Sequence, residues 1–250
     1  MSSVLDNLIN TLPTGSVREI RIGAFWTVVV VEVEGERQCG LASALRGFDD
    51  HHHGGGPAVR EAGRLLAQDA VDLARLVNSG SLMEASVGMA TINALLPVHE
   101  AWWVDLNAEE VIATHGQGKK VALIGHFPFI PRLQGRVGEL WVLEKDPRGD
   151  DLPAGVADEL LPQADVIAIT GTTLINHTFE ELMAIRNPEA LVLVLGPSTP
   201  LSPILFDHGV HLLSGAVVED IESVLRAAGQ GANFRQLHRQ GVRLVTMQRL

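Results

Sequence analysis

Residues 165–178, DVIAITGTTLINHT, decide the fold that this chain is expected to adopt. A run of apolar, β-branched residues is followed at once by the polar turn 170–173, TGTT, and then by a helical pattern. A strand that is apolar on both faces is typical of a parallel sheet covered by helices. In such sheets, ligands bind at the turns that follow the strands. We therefore predict an α/β fold with a binding site at this turn.

The order of strand, small or polar turn and helix recurs through the chain beyond Gly80. Further apolar runs of strand length lie at 121–125, 139–144, 191–195 and 210–213, with a sixth candidate strand at 242–247. The carboxyl ends of parallel strands meet at one edge of a sheet, so their turns should lie together. The sequence therefore predicts a Rossmann-like parallel sheet with its ligand site at that edge.

The first 80 residues follow a different pattern, with short β-rich runs separated by turns. The predicted elements are an amphipathic helix, three strands of an antiparallel meander and a second helical segment, at 4–12, 17–22, 25–33, 37–45 and 59–78. The last segment is expected as two helical pieces joined near Gln68. Because the pattern changes near Gly80, we predict two domains, 1–80 as an α+β domain and 81–250 as the Rossmann-like domain. A helix at 84–96 is expected to pack at the edge of the second domain or to join the two.

Composition excludes several classes of protein. With 250 residues, 46% of them hydrophobic and 20% charged, the chain is expected to be globular. Its net charge of −11 disfavours binding to nucleic acids. No signal peptide or membrane-spanning run is predicted, so no membrane partner is expected. A single cysteine, Cys39, excludes an internal disulfide and a cysteine-based metal site, which favours a cytoplasmic location.

The turns 170–173 and 196–200, TGTT and GPSTP, each allow two interpretations. Hydroxyl groups and the free N–H groups of the following helix could hold a phosphate, a carboxylate or a metal-bound oxyanion. Alternatively, a threonine of the first turn simply caps the helix after it. A serine or threonine of the second turn could likewise cap a short helix before Phe206.

Further candidates lie elsewhere in the chain. Glu144 ends the second parallel strand, where an acidic residue commonly binds ribose hydroxyls, although it could equally be a surface carboxylate beside Lys145. The turn 125–128, GHFP, lacks the G-x-G-x-x-G pattern of ordinary NAD binding. Its His126 is a candidate metal ligand or general acid–base, or else a structural histidine. Three histidines at 51–53 resemble a metal-binding tract, but three neighbouring rings bind one ion only if the loop turns.

Four stretches in this order resemble the putative heavy-metal chelation family, formerly a domain of unknown function. They are 84–96, EASVGMATINALL; 125–129, GHFPF; 165–178; and 196–200 followed by Ser214-Gly215. The resemblance implies an enolase N-terminal-like domain, then a Rossmann-like domain, with a site in the cleft between them. Position 126 corresponds to a variable place in the family's Gly-x-Phe-Pro motif, so the resemblance gives a metal role for His126 little support.

The resemblance also implies which residues line the cleft. The candidate ligand-binding residues are Glu84, Asn93, Phe127, Pro128, Glu144, Thr170, Gly171, Thr172, Thr173, Asn176, Gly196, Pro197, Ser198, Thr199, Ser214 and Gly215. Glu84 and Asn93 are nine residues apart on one predicted helix, so they face similar but not identical directions. The alternative is that Glu84 interacts with the helix dipole and that Asn93 is an ordinary surface residue.

Two functions follow from these observations. The first is a protein that binds a transition metal, a metal complex or another small ligand in an oxygen-rich and amide-rich interdomain cleft. The second is an enzyme, an atypical Rossmann-like transferase, that acts on a nucleoside-like or phosphorylated small molecule. Apolar faces of the meander could also support a homodimer.

Overall fold

The computed structural model describes residues 3–47 and 57–249, and these form a mixed α/β structure. The described residues build one antiparallel sheet of three strands and one mostly parallel sheet of eight. This confirms the predicted fold class. The histidines at 51–53 lie outside the described residues.

The antiparallel sheet has the predicted meander topology. Its strands are β1 (Ser16–Ile22), β2 (Trp26–Val33) and β3 (Glu36–Ser43), in that order. Alternate residues of β2 face opposite sides of the sheet, and both sides are covered, so this strand is buried almost throughout. Helix α3 (Leu82–Leu95) covers one side, and α10 (Ile221–Gly229) covers the other.

The helical segment predicted at 59–78, with a joint near Gln68, is divided at that point but consists of shorter pieces than expected. After a 3-10 turn at Leu65–Ala67, the chain forms α2 (Ala70–Ala74) and a second 3-10 turn at Arg75–Asn78. The break occurs because the side chain of Asp69 accepts a hydrogen bond from the Val71 N–H and thereby begins a new helix. The first helix of the chain, α1 (Val4–Ile9), is shorter than predicted.

Eight strands of the described residues form the large sheet. They are β4 (Trp103–Val104), β5 (Lys120–Ile124), β6 (Glu139–Glu144), β7 (Leu152–Pro153), β8 (Val166–Thr170), β9 (Leu191–Leu195), β10 (Leu212–Val218) and β11 (Val242–Gln248). Their spatial order is β4-β11-β10-β9-β8-β5-β6-β7. Strands β5 to β10 are parallel, whereas β11 and β4 are antiparallel to their neighbours.

The remaining helices connect these strands. They are α4 (Ala108–His115), α5 (Ile130–Leu133), α6 (Ala157–Leu160), α7 (Thr172–Ile175), α8 (Phe179–Ile185), α9 (Ile204–Asp207) and α11 (Phe234–His238). The helix expected after Thr173 is thus two helices, because His177 between them has a φ of 61° that an α-helix cannot contain. None of the helices in the described ranges is long and apolar enough to cross a membrane.

The strand order reverses between β5 and β8. From β5 the chain passes to β6 and β7 on one side and then returns to β8 on the other side. Such a reversal opens a crevice at the carboxyl ends of the two strands, where open α/β sheets bind ligands. Gly125, which follows β5, has a φ of 109°, and a Cβ there would lie 3.0 Å from Cγ2 of Thr170. The positive φ and this tight contact together favour glycine at position 125.

One apolar core joins the two sheets. Buried residues of β2 and α3 belong to the same cluster as buried residues of β8 and β9. Helix α3 follows the boundary predicted at residue 80, yet it packs mainly on β2 and β3. The exact domain boundary stays a prediction.

Candidate functional site

A cavity of about 560 Å³ lies over the point where the strand order reverses. We call it the switch-point cavity. Residues at the carboxyl ends of β5, β6 and β8 line it, together with parts of α6, α7 and α8. The predicted site residues among its lining are His126, Phe127, Glu144, Thr170, Thr172, Thr173 and Asn176. The structure therefore brings together residues from three of the predicted strand ends.

Threonine hydroxyl groups form one wall of the switch-point cavity. Oγ1 of Thr170 lies 3.1 Å from Oγ1 of Thr172, and Oγ1 of Thr173 donates to the carbonyl of Thr170 at 2.8 Å. The residue that precedes α7 is Gly171, and no side chain caps this helix within the described residues. The threonines thus brace the turn and leave the Thr170–Thr172 pair beside the cavity.

Gly171 is required by close packing of two loops. A Cβ at Gly171 would lie 2.7 Å from both the N and the Oγ1 of Thr199. Real Cβ contacts are essentially never this short, so the turn after β8 and the turn after β9 can approach only because residue 171 is glycine.

Asn176 accepts a hydrogen bond from Oγ1 of Thr178 through its Oδ1 at 2.7 Å.

Carboxylates also line the switch-point cavity. Oε1 of Glu144 accepts a hydrogen bond from the His126 N–H at 2.6 Å, and Oε2 accepts one from the Lys145 N–H at 3.1 Å. Glu144 therefore holds the turn after β5 in place. Asp158 and Glu181 also line the switch-point cavity. The lining residues that the structure describes therefore include three carboxylates and one lysine.

His126 is paired with a residue that the sequence did not single out. Its Nδ1 lies 2.9 Å from Oδ2 of Asp151, whose side chain is only 6% exposed. Asp151 also accepts a hydrogen bond from the Arg148 N–H at 3.2 Å. The two residues are 25 positions apart, and Asp151 lies in a polar loop beside other acidic residues, so no motif could have indicated the pair.

Glu84 lies apart from the switch-point cavity. It is 2% exposed and forms a two-pronged ion pair with Arg60, with a further hydrogen bond from Ser79. Burial by itself raises the pKa of this carboxyl group. The hydrogen bonds from Arg60 and Ser79 outweigh that effect and lower the pKa to about 2.

Asn93 and the 196–200 turn lie where the two sheets meet. Nδ2 of Asn93 donates to the carbonyls of Leu41, at 3.0 Å, and Ser198, at 3.4 Å. Oγ of Ser198 accepts a hydrogen bond from the Ser43 N–H at 2.9 Å. Of the two alternatives for this turn, capping of the following helix by Ser198 or Thr199 is wrong, because α9 begins at Ile204 and Pro203 precedes it.

Asn93 and Thr199 also line a smaller cavity of about 260 Å³ between β3, α3 and β10. Oδ1 of Asn93 and Oγ1 of Thr199 are buried there without a hydrogen-bond partner in the described part of the chain. Cys39 lines the same cavity, and burial raises the pKa of its thiol to about 12, which opposes thiolate chemistry.

The last candidates lie outside the switch-point cavity. Pro128 is exposed, Gly196 has a φ of 107°, and Pro197 follows it in the turn after β9. Oγ of Ser214 lies 2.7 Å from Oγ1 of Thr246 on the neighbouring strand. A Cβ at Gly215 would lie 2.7 Å from the carbonyl oxygen of Thr199, so the close packing of these two segments requires glycine at position 215.

A metal site built from side chains is not found in residues 3–47 and 57–249. No group of three or more His, Cys, Asp or Glu side chains there could hold an ion. The switch-point cavity offers hydroxyl, amide, carboxylate and imidazole groups, which suit a polar organic molecule or a metal that keeps its own ligands.

Comparisons with known proteins agree with this architecture. The family model described as "Putative heavy-metal chelation" (DUF364) matches residues 107–247, and a second model with the same description (DUF4213) matches residues 5–96. A crystal structure of a DUF364 protein of unknown function from Desulfitobacterium hafniense has a TM-score of 0.82 and 25% identity, covering 98% of both chains.

Two more distant proteins are also similar. A DUF364 protein of unknown function from Pyrococcus horikoshii shares the fold, with a TM-score of 0.82, 20% identity and 98% coverage of both chains. An uncharacterized protein of Methanocaldococcus jannaschii is 23% identical over 80% of this chain and 78% of its own length.

Proposed function

Because the chain belongs to the putative heavy-metal chelation family, we propose that it binds a small organic ligand, or a metal complex of one, in the switch-point cavity. The observation that carries this proposal is the position of the cavity, where the strand order reverses beside Gly125 and Thr170. The described residues contain no three-ligand metal site. In this proposal, a metal enters the cavity already held by its own chelator.

The charges of the switch-point cavity favour a neutral or cationic ligand. Three acidic residues line the cavity: Glu144, Asp158 and Glu181. Among the lining residues that the structure describes, Lys145 is the basic one besides the imidazole of His126. At an effective dielectric constant of about 20, two like charges about 4 Å apart repel each other by about 4 kcal/mol, and the repulsion falls with distance. A ligand with several phosphates would meet this repulsion, whereas hydroxyl and amine groups could donate hydrogen bonds to the carboxylates.

A second candidate function is an enzyme that acts on a nucleoside-like molecule. Glu144 supports it, because the residue ends the strand next to β5, where Rossmann-like sheets commonly hold ribose hydroxyls. Its two oxygens already accept N–H groups, but a carboxylate has about four lone-pair sites and can accept more.

A thermal-shift panel tests ligand binding directly. It should contain adenosine, nucleotides, S-adenosylmethionine, pterins, metal oxyanions and metal complexes. A ligand at a hundred times its dissociation constant is expected to raise the melting temperature by about 5 to 11 °C. The neutral and cationic members should give the larger shifts, and no shift from any member would contradict ligand binding of this kind.

Replacing Thr172 by valine tests the site within that panel. The change removes a hydroxyl group from the cavity wall, so the thermal shift should shrink while the melting temperature of the free protein changes little. The matched control is Thr114→Val on the exposed surface of α4, which should leave the thermal shift unchanged. If the thermal shift decreased equally in both variants, the result would argue against ligand binding in the switch-point cavity.

Metal analysis separates a metal complex from a bare ion. Protein purified without a metal column and desalted in buffer without an organic chelator should retain no stoichiometric transition metal. A full equivalent retained under those conditions would show direct chelation and overturn the metal-complex form of the proposal.

A further inference from the structure

We propose that Nε2 of His126 is the hydrogen-bond and proton acceptor of the switch-point cavity, and that Asp151 is its positioning residue. The inference rests on the proposed function in that a ligand must occupy the cavity. The ligand would present an O–H or N–H group to the imidazole ring.

The backbone fixes the place of His126. It directly follows Gly125 at the carboxyl end of β5, and its N–H donates to Glu144 at 2.6 Å. This hydrogen bond joins the ends of two adjacent parallel strands. The ring is therefore attached to a turn that is held at both strands, beside the strand-order reversal.

Asp151 fixes which ring nitrogen carries the proton. Nδ1 of His126 lies 2.9 Å from Oδ2 and 3.2 Å from Oδ1 of Asp151. An ionised carboxylate only accepts hydrogen bonds, so Nδ1 must be the donor. In the neutral ring, Nε2 then has a free lone pair. The same arrangement orients histidines that act as bases or as metal ligands.

Two observations distinguish this pair from an ordinary surface contact. The Asp151 side chain is 6% exposed, whereas the His126 side chain is 49% exposed, and His126 is one of the residues that line the cavity. A carboxylate that is nearly buried needs a partner, which makes the pairing persistent. Nε2 of His126 has no hydrogen-bond partner among residues 3–47 and 57–249, so it is free for a ligand.

The chemistry available to His126 follows from this geometry. A ligand O–H or N–H donates to Nε2 as the ligand binds. If the covalent O–H or N–H bond of the ligand breaks, the proton moves to Nε2 and the electron pair of the broken bond stays on the ligand atom. Asp151 then stabilises the imidazolium ion. The switch-point cavity would thereby contain a base as well as a binding surface.

The first experiment measures the protonation of the ring by ¹⁵N NMR. In the wild type, the neutral form of His126 should carry its proton on Nδ1, and Asp151→Ala should shift it toward a mixture of the two forms. Asp150→Ala is the matched control, because Asp150 is exposed and no hydrogen bond or ion pair joins it to His126 in the described structure. The positioning role of Asp151 would be overturned if the neutral ring of the wild type carried its proton on Nε2. It would also be overturned if Asp151→Ala left the distribution of the proton between Nδ1 and Nε2 unchanged.

The second experiment asks whether Nε2 meets the ligand. His126→Asn retains an N–H donor for Asp151 but has no group at the Nε2 position, whereas His126→Gln can place an acceptor oxygen near it. With adenosine, S-adenosylmethionine and a pterin as probes, His126→Asn should weaken binding about fivefold or more, the equivalent of one hydrogen bond. His126→Gln should recover part of that loss.

The outcomes separate this inference from the proposed function. If a probe binds equally well to wild type and His126→Asn, the acceptor role of His126 is wrong although the cavity binds a ligand. If no probe binds the wild type, the proposed function fails and the acceptor role fails with it, while the NMR result still decides the role of Asp151.

Discussion

Glu84 is a carboxylate that stays charged although it is almost completely buried. Arg60 contributes its backbone N–H and its guanidinium group, and Ser79 contributes its hydroxyl group, so both oxygens of Glu84 are occupied. Burying a charge is favourable only with such compensation. These contacts connect the segment at residue 60 to the first turn of α3, which favours a structural role for Glu84 over ligand binding.

Replacing Glu84 by glutamine should reduce stability in a pH-dependent way. The lowered pKa of about 2 contributes stability that is complete above the ordinary pKa of about 4.5 and is lost as the pH falls toward 2. We expect Glu84→Gln to cost about 2 to 3 kcal/mol at neutral pH and almost nothing near pH 2, measured by urea unfolding. Glu61→Gln, an exposed neighbour, is the control. A cost that is constant across this pH range would contradict the role of the ion pair.

Helix α3 packs unusually close to its neighbours because glycine residues face it or lie within it. A Cβ at Gly40 of β3 would lie 2.2 Å from the carbonyl oxygen of Ala90 and 2.3 Å from N of Ala94. A Cβ at Gly88 within the helix would lie 2.0 Å from N of Val77. These are backbone atoms, which cannot rotate away, so a larger residue at either position must displace the helix.

Gly40→Ala should therefore destabilise the protein strongly. Overpacking in a core costs about 1 to 3 kcal/mol, and a clash with backbone atoms, which cannot rotate away, belongs at the upper end. The control is Gly80→Ala, where nothing lies within 4 Å of the new Cβ. Denaturant unfolding should show a loss of about 2 to 3 kcal/mol for Gly40→Ala and less than about 1 kcal/mol for Gly80→Ala. Equal losses would show that α3 can move away from β3 at little cost.

Periodicity predicted the long elements well and the short ones poorly. Strands such as β5 and β8 are continuous apolar runs, so both their position and their parallel packing followed from the sequence. Strands β4 and β7 have two residues each, too few for any periodic signal. The break at His177 depends on one backbone angle, and neither a two-residue strand nor a single angle produces a pattern.

The candidate site was predictable only in part for a similar reason. Thr170 and Glu144 lie at strand ends, and the sheet topology brings strand ends together, so their meeting at one cavity could be expected. The partners Asp151 and Arg60 lie in irregular segments, 25 and 24 residues from His126 and Glu84. Contacts between loops depend on the folded chain and leave no spacing rule in the sequence.

The charge of the molecule is uneven along the chain, and ion pairs partly offset this unevenness. Residues 223–250 contain five arginines and no acidic residue, whereas the rest of the chain is acidic. Two of these arginines form ion pairs with acidic groups outside that segment, Arg243 with Glu219 and Arg249 with Asp207. Both pairs lie within the part of the chain that carries the large sheet, and exposed pairs contribute little individually. The connection between the two sheets comes instead from the apolar core that they share.

A core that continues from one sheet to the other should make unfolding a single cooperative event. Hydrogen bonds between the two parts, such as the His177 Nε2 contact to the carbonyl of Val77 at 2.7 Å, add to this coupling. At about 0.7 kcal/mol per residue, one transition of the whole chain should absorb about 175 kcal/mol near 60 °C, with equal calorimetric and van't Hoff enthalpies. Ser198→Ala, which removes a contact between the sheets, should lower that single midpoint without splitting it. Two separate calorimetric peaks in either protein would mean that the parts unfold independently and that the interface contributes little to stability.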